Sequence, residues 1–330
     1  MPVFNCENFV AEAIESILNQ TFDNLELLII DDCSTDKTVE IIKSYKNPKI
    51  ILTKKPKNTG IIDSLNLGIK LAKGELVARM DGDDISHPER LSIQYDFLKT
   101  HQNIVLCGTW YQQIPTNEII KNPKTHEEIK LAMLDYCAFG HPTVMFRRQF
   151  MLNHNLKYDE NFTAAEDYDL WTKIVLLGEV VNIPRNLLLY RSHANQITKI
   201  RQFDQVNNSD LCRIRMINYL IDTPSEKDVN ICSAIVKNQI IEKSKTLKET
   251  LLWLDRIIIL NGKTGFYKVD EFEKYINQKK ATTIRRFYLN TTHYSPKVLF
   301  EASIVKKQFL KYFTFSEILK FIAKCVICWK

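Results

Sequence analysis

The sequence predicts an α/β fold, a mostly parallel sheet with helices on both faces, followed by a helical extension. Three observations predict it. Short apolar runs of strand character alternate with amphipathic helical periods through the first half of the 330 residues. Those runs are nearly continuous in apolar residues, which suits strands covered on both faces. Around residues 195–205 the pattern gives way to long, Lys-rich helical stretches, with turn signals at Thr223-Pro224-Ser225, Asn261-Gly262 and Ser295-Pro296.

The elements follow in order. Pro2-Val3-Phe4-Asn5 reads as the end of a strand whose body would precede residue 1, so the expectation is a misplaced start codon or a truncated chain. Phe9 to Asn19 places Phe9, Val10, Ala13, Ile14, Ile17 and Leu18 on one helical face. Leu25 to Ile30 is a buried strand cut off by Asp31-Asp32, and Thr35 to Tyr45 is a helix. Ile50-Ile51-Leu52 is a strand, and Ile61 to Ala72 is a helix closed by Gly74. Glu75 to Met80 is the next strand. Pro88 to Thr100 is a helix, Ile104 to Gly108 a strand, 126–136 a helix, Thr143 to Phe146 a strand and Asp167 to Leu177 a helix. Strand–helix alternation at this spacing implies parallel strands joined by right-handed crossovers.

Composition bounds the class. Hydrophobic residues make up 45% and charged residues 25%, ordinary for a globular protein. The formal charge of +6 is unevenly spread: residues 1–200 hold 22 Lys/Arg against 26 Asp/Glu, and residues 201–330 hold 23 against 13. We therefore expect two regions, 1–200 and 201–330, facing different partners. The basic region suits an anionic membrane surface or an acidic substrate; no nucleic-acid motif accompanies it. The eight cysteines are scattered, with one CxxC at Cys325 and Cys328, and read as reduced thiols in the cytoplasm. The start lacks the basic head and apolar core of a secretory signal, and no apolar run reaches spanning length. The expectation is a cytoplasmic protein, resting on the inner face of the membrane.

Acidic groups punctuate the strand ends. Asp31-Asp32 precedes Ser34-Thr35-Asp36, and Asp81-Gly82-Asp83-Asp84 follows the strand at Met80. Glu166-Asp167 opens the helix with Tyr168-Asp169-Leu170-Trp171. Any one of them could be a surface turn or a helix cap. Together, at strand ends where open α/β sheets bind ligands, they point to a divalent cation carrying a diphosphate.

The ordered motifs resemble the family-2 glycosyltransferases. The resemblance rests on Pro2-Val3-Phe4-Asn5, Ile14 to Phe22, Ile30 to Asp36, Lys57-Asn58-Thr59-Gly60, Asp81 to Asp84, Pro88 to Leu91, His141 to Arg147, Glu166 to Trp171 and Tyr190 to His193. It covers about the first 195 residues. It implies a GT-A fold and an inverting, metal-dependent transfer of a sugar from a UDP-sugar to a glycan or lipid-linked acceptor of the cell surface. Pro2, Phe4 and Asn5 would border the base, Asp32 would bind the uracil edge, and Asn58 and Gly60 would shape the nucleotide loop. Asp81 would touch the ribose, Asp83 would ligate Mn²⁺ or Mg²⁺, and Asp167 would be the general base. Cys33 stands where the family usually has Gly, at a turn whose geometry Gly tolerates best.

Other residues admit two roles. His193, and likewise His141, would ligate the metal or bond the diphosphate, or else serve as a satisfied structural histidine. Arg90, Arg147 and Arg191 could grip donor phosphates, and Arg90 could instead pair with an acid inside the fold. Trp171 reads as core, while Trp110 and Tyr111 could line an acceptor groove. The stretch Phe309 to Trp329, with Phe313, Ile318, Leu319, Ile322 and Val326, is either an interfacial helix or an ordinary packed one. The alternatives to a transferase are a sugar nucleotidyltransferase and a non-catalytic glycan- or membrane-binding relative. The first lacks its Gly-rich phosphate loop here.

Overall fold

In the computed structural model, residues 1–192, 201–239, 241, 243–289, 294, 299 and 313–327 are described. The chain divides into two units, Met1–Cys212 and Arg213–Lys330.

The first unit follows the alternation read from the sequence. Its elements are β1 (Pro2–Val3), α1 (Val10–Leu18), β2 (Leu27–Asp31), α2 (Thr38–Ser44), β3 (Ile50–Lys54), α3 (Ile61–Leu71) and β4 (Leu76–Ala78). Then come β5 (Ile85–Ser86), α4 (Arg90–Thr100), β6 (Ile104–Ile114), β7 (Ile119–Ile120), α5 (His126–Ala132), β8 (Met145–Arg147), α6 (Arg148–Asn153), α7 (Glu166–Val175) and β9 (Glu179–Arg191).

β1, β2 and β3 form one parallel sheet. The remaining strands form a second sheet in the order β4-β8-β6-β9-β5, with β7 on β6. Here β6 and β9 are parallel, while β4–β8, β5–β9, β6–β7 and β6–β8 are antiparallel. The alternation of strands and helices therefore read the first sheet fully and the second only in part. Antiparallel neighbours need no crossover helix, so their order leaves no trace in that alternation.

Opposite faces of β2 meet different helices. Ile29 packs with Val10, Ile14 and Ile17 of α1 and Ile42 of α2. Ile30 turns the other way, toward Gly68 of α3. A second cluster seats Leu91 and Leu98 of α4 on Cys107, Met145 and Ile183. Fully burying an aliphatic side chain of this size contributes about 1.5–3 kcal/mol, so these two clusters dominate the stability of the unit. A cavity of about 210 Å³ lies between β2 and β4, lined by Leu28, Ile30, Leu65, Gly68, Leu76 and Ala78 among others. It is largely apolar, and none of Asp32, Asp83 and Asp167 lines it.

The second unit is helical where it is described: Glu226–Val236, Ser244–Thr264, Val269–Leu289 and Phe315–Val326. Asp228 caps the first of these through Ser225 and accepts hydrogen bonds from Trp253 at 2.9 Å and Arg256 at 2.7 Å. Leu247, Leu251, Ile284, Tyr288, Phe313 and Phe321 share a core. Among the described residues no helix is long and apolar enough to cross a membrane.

Candidate active site

The acidic loop is held at both of its ends. On one side β4 pairs with β8, joining Ala78 to Met145. On the other, β5 pairs with β9, joining Ile85 to Leu189. Arg191, at the end of β9, then closes over the loop. Its backbone N–H donates to Asp84 Oδ1 and its Nε to the Asp83 carbonyl, both at 2.8 Å, while its Nη2 meets Glu12 at 2.6 Å. The expected phosphate contact of Arg191 is thus replaced by a structural one. Gly82 lets the loop lie against β1, because a Cβ there would stand 2.8 Å from Val3 Cγ1 and 3.3 Å from Cys6 Sγ.

Asp81, Asp83 and Asp84 converge, with one ligand oxygen of each within 4.8 Å of the others. Asp84 is 1% exposed, and its Oδ2 is buried without a hydrogen-bond partner. Burial holds the protons on Asp81 and Asp84 above the usual carboxylate range, and the neighbouring carboxylates add to it. The donor set is all hard oxygen, and it carries more negative charge than the loop neutralises by itself. These residues fit Mg²⁺ or Mn²⁺.

Arg79 is the cation the sequence reading missed. It is 6% exposed and its Nη1 pairs with Asp81. A lone Arg in an apolar strand gives no sign of what surrounds it, so no pattern could have singled it out. Its charge also lowers the proton affinity of Glu166 and Asp167, though less than burial raises it. Asp167 Oδ1 accepts from the Tyr168 N–H at 2.7 Å, and Oδ2 accepts from the Cys137 thiol at 3.8 Å. Glu166 is more deeply buried; its proton affinity is pushed up to about 7, first by burial and then by Asp167. Ala164, two residues ahead, adopts a left-handed φ of 64°, a strained turn that delivers this pair. Tyr111 completes the surroundings, its phenol pushed up to about 12 by burial and by Cys137, Asp84 and Asp167. Trp110 is directed away, donating to the Asn122 carbonyl at 2.9 Å.

Asp32 organises the loop opposite. Its carboxylate accepts from the N–H groups of Thr59 and Gly60 at 2.9 and 2.8 Å, and Lys55 Nζ lies 2.7 Å away. Gly60 has a φ of 91°, open to glycine, and starts α3. Asn58 is exposed on the same loop. On the β1 side, Phe4 is 47% exposed, Pro2 is half-buried, and Asn5 Oδ1 accepts from the Thr35 N–H at 2.8 Å. Cys33 takes a left-handed φ of 65°, the conformation that suits glycine at this turn.

Three further expectations are corrected or fall away. Arg90 is fully buried and donates to Gln94 Oε1 at 3.0 Å and to the Arg79 carbonyl at 2.7 Å, so it supports the strand under the site and reaches neither donor nor acid. Arg147 likewise holds backbone, donating to the Ile104 and Leu98 carbonyls at 2.9 and 2.6 Å. His141 sits in an aromatic wall with Tyr158 and Trp171, its Nε2 3.0 Å from the Tyr158 hydroxyl, and burial keeps it neutral. Trp171, 1% exposed, is core as read. His193 lies outside the described residues.

A model for glycosyl transferase family 2 matches residues 1–165. The chain belongs to glycosyl transferase family 2. An uncharacterized glycosyltransferase of Haemophilus influenzae is 32% identical over 266 residues, covering 75% of this chain and 82% of that one. The Escherichia coli UDP-Glc:alpha-D-GlcNAc-diphosphoundecaprenol beta-1,3-glucosyltransferase WfaP is 30% identical over 215 residues, covering 64% of this chain and 82% of that one. Among solved structures, S. aureus TarS 1–349 in complex with UDP-GlcNAc superposes with a TM-score of 0.59 at 17% identity, covering 86% of this chain and 89% of that one. The fold is GT-A, and the protein is a transferase. Membership of this family sets aside the nucleotidyltransferase and the non-catalytic alternatives.

Proposed function

We propose that this enzyme transfers a sugar from a UDP-sugar to a cell-surface glycan acceptor, with inversion at the anomeric carbon. The observation that carries the reading is the convergence of Asp81, Asp83 and Asp84 at the end of β4. TarS with UDP-GlcNAc and the UDP-glucose-dependent WfaP support the choice of donor, and the diphosphoundecaprenol in the name of WfaP supports a lipid-linked acceptor.

Asp83, with Asp81 and Asp84, would hold the divalent cation. When bound, that cation supplies charge neutralisation for the departing diphosphate. The chain's own residues do the rest. Asp32 keeps the loop at Asn58 and Gly60 in place beside Phe4 and Asn5, where the base would lie. Arg191 prevents the acidic loop from opening. Asp167 accepts the proton of the attacking acceptor hydroxyl, whose own proton affinity is too high for unaided attack. One carboxylate acting opposite the leaving group fits a single displacement. The raised proton affinity of the Glu166–Asp167 pair suits a base that must hold the proton it takes. On the acceptor side, we place the enzyme at the cytoplasmic face of the membrane, with the basic second unit toward the lipid.

A panel of UDP-sugars assayed for Mn²⁺-dependent transfer or donor hydrolysis tests the reading. Asp83→Ala should lower turnover by about 10²-fold or more, and Asp167→Asn should abolish transfer while leaving UDP binding intact. Full turnover by Asp83→Ala would remove the metal role, and transfer by Asp167→Asn would require another base.

A further inference from the structure

We propose that Arg79 is a positioning residue of the transfer site: its guanidinium grips Asp81 and sets the spacing between the cation-binding carboxylates and the Glu166–Asp167 pair. The inference rests on the metal and base roles given above and adds the residue that joins them.

Three observations carry it. Arg79 is fixed from three directions. Its N–H donates to the Val144 carbonyl at 2.9 Å, its own carbonyl accepts from Arg90 at 2.7 Å, and its Nη1 pairs with Asp81. The buried Arg90 is therefore a strut under Arg79. Second, the guanidinium is almost wholly withdrawn from solvent, and among the described residues its Nε has no hydrogen-bond partner. A cation buried with a donor left unsatisfied is costly in isolation, and only surrounding negative charge offsets that cost. Third, that negative charge comes from both sides of the site. Asp81 and Asp84 lie on the acidic loop, and Glu166 and Asp167 lie at the start of α7; all four feel this one guanidinium. Tyr158, whose hydroxyl meets His141, stands in the same field between Arg79 and the Glu166–Asp167 pair.

The geometry gives Arg79 two tasks. It balances the carboxylates of β4 before a cation arrives, so the loop need not splay apart. It also holds a fixed charge beside Asp167, whose other neighbours are Glu166, the Cys137 thiol, the Tyr168 N–H and the phenols of Tyr111 and Tyr158.

The test compares R79K and R79M with the parent enzyme in Mn²⁺-dependent donor hydrolysis, alongside thermal unfolding. R79K keeps the charge but loses the planar fork. Its kcat should fall on the order of 10²-fold with little change in donor KM. R79M also loses the charge, so the acid limb of its kcat/KM profile should move to higher pH, while that of R79K stays in place. Parental kcat in R79K would overturn the proposal. So would an R79M whose loss matches its unfolded fraction and whose acid limb does not move. If R79M does not fold, R79K decides alone. Asp167→Asn is the control for the base: turnover in that variant overturns the base assignment, and the kcat of R79K still decides Arg79.

Discussion

At the residue scale, Cys33 shows how a departure from the usual motif is tolerated. A non-glycine residue in the left-handed region costs roughly 1–2 kcal/mol, and Cys33 sits there at a φ of 65°. Part of that cost returns on substitution as the greater chain entropy of glycine. Cys33→Gly should therefore stabilise the fold by about 1 kcal/mol, seen as a higher urea midpoint with an unchanged slope. A lower midpoint would mean that the Cys33 side chain holds more than its long contact to the Pro56 carbonyl. The residues legible in the sequence are those whose chemistry is announced by clustering, above all Asp81, Asp83, Asp84 and the Glu166–Asp167 pair. Those that stayed hidden depend on tertiary neighbours. Arg79 and Arg90 look alike in sequence, yet one faces acids and the other is enclosed by carbonyls and Gln94. Glu166 differs from any capping glutamate only by its burial.

At the element scale, periodic segments were read well. α1, α3 and α4 begin and end within two residues of the expected limits. β9 was not read at all. It spans Glu179–Arg191, carries Pro184 within it, and changes register against β6 at several points, so its apolar residues show no steady alternation. That strand brings Tyr190 and Arg191 to the acidic loop, so the element missed is the one that locks the site. α3 offers a clean test of the first sheet's packing. Gly68 lies inside this helix beside the cavity, and a Cβ there would meet Ile30 Cγ1 at an ordinary 3.9 Å. Gly68→Ala should raise stability by about 1 kcal/mol through helix propensity alone. A lower melting temperature would show that α3 sits closer to β2 than the structure places it.

At the scale of the whole molecule, charge and chemistry are divided between regions. The first 200 residues are slightly acidic and hold the site; the last 130 carry 23 basic residues against 13 acidic. The helix Phe315–Val326 has a buried face at Phe321 and Cys325, while Phe315, Leu319, Ile322 and Val326 are 77, 51, 38 and 65% exposed on another. The packed and interfacial readings of this segment thus apply to different faces of one helix. Phe313 belongs to the core, and Trp329 lies outside the described residues. A lipid surface suits an apolar stripe on a basic region. The full chain should sediment with anionic vesicles and less with neutral ones, and a Leu319→Glu, Ile322→Glu double variant should stay in solution. Equal sedimentation of that variant would remove the stripe from the account.

The central claim is that the carboxylates after β4 hold a cation that in turn holds the donor's diphosphate. Calorimetric titration of UDP into the enzyme, with and without Mn²⁺, measures it directly. The account predicts binding with Mn²⁺, at least tenfold weaker binding without it, and no Mn²⁺ effect in Asp83→Ala. UDP binding of equal strength with and without the metal would contradict it.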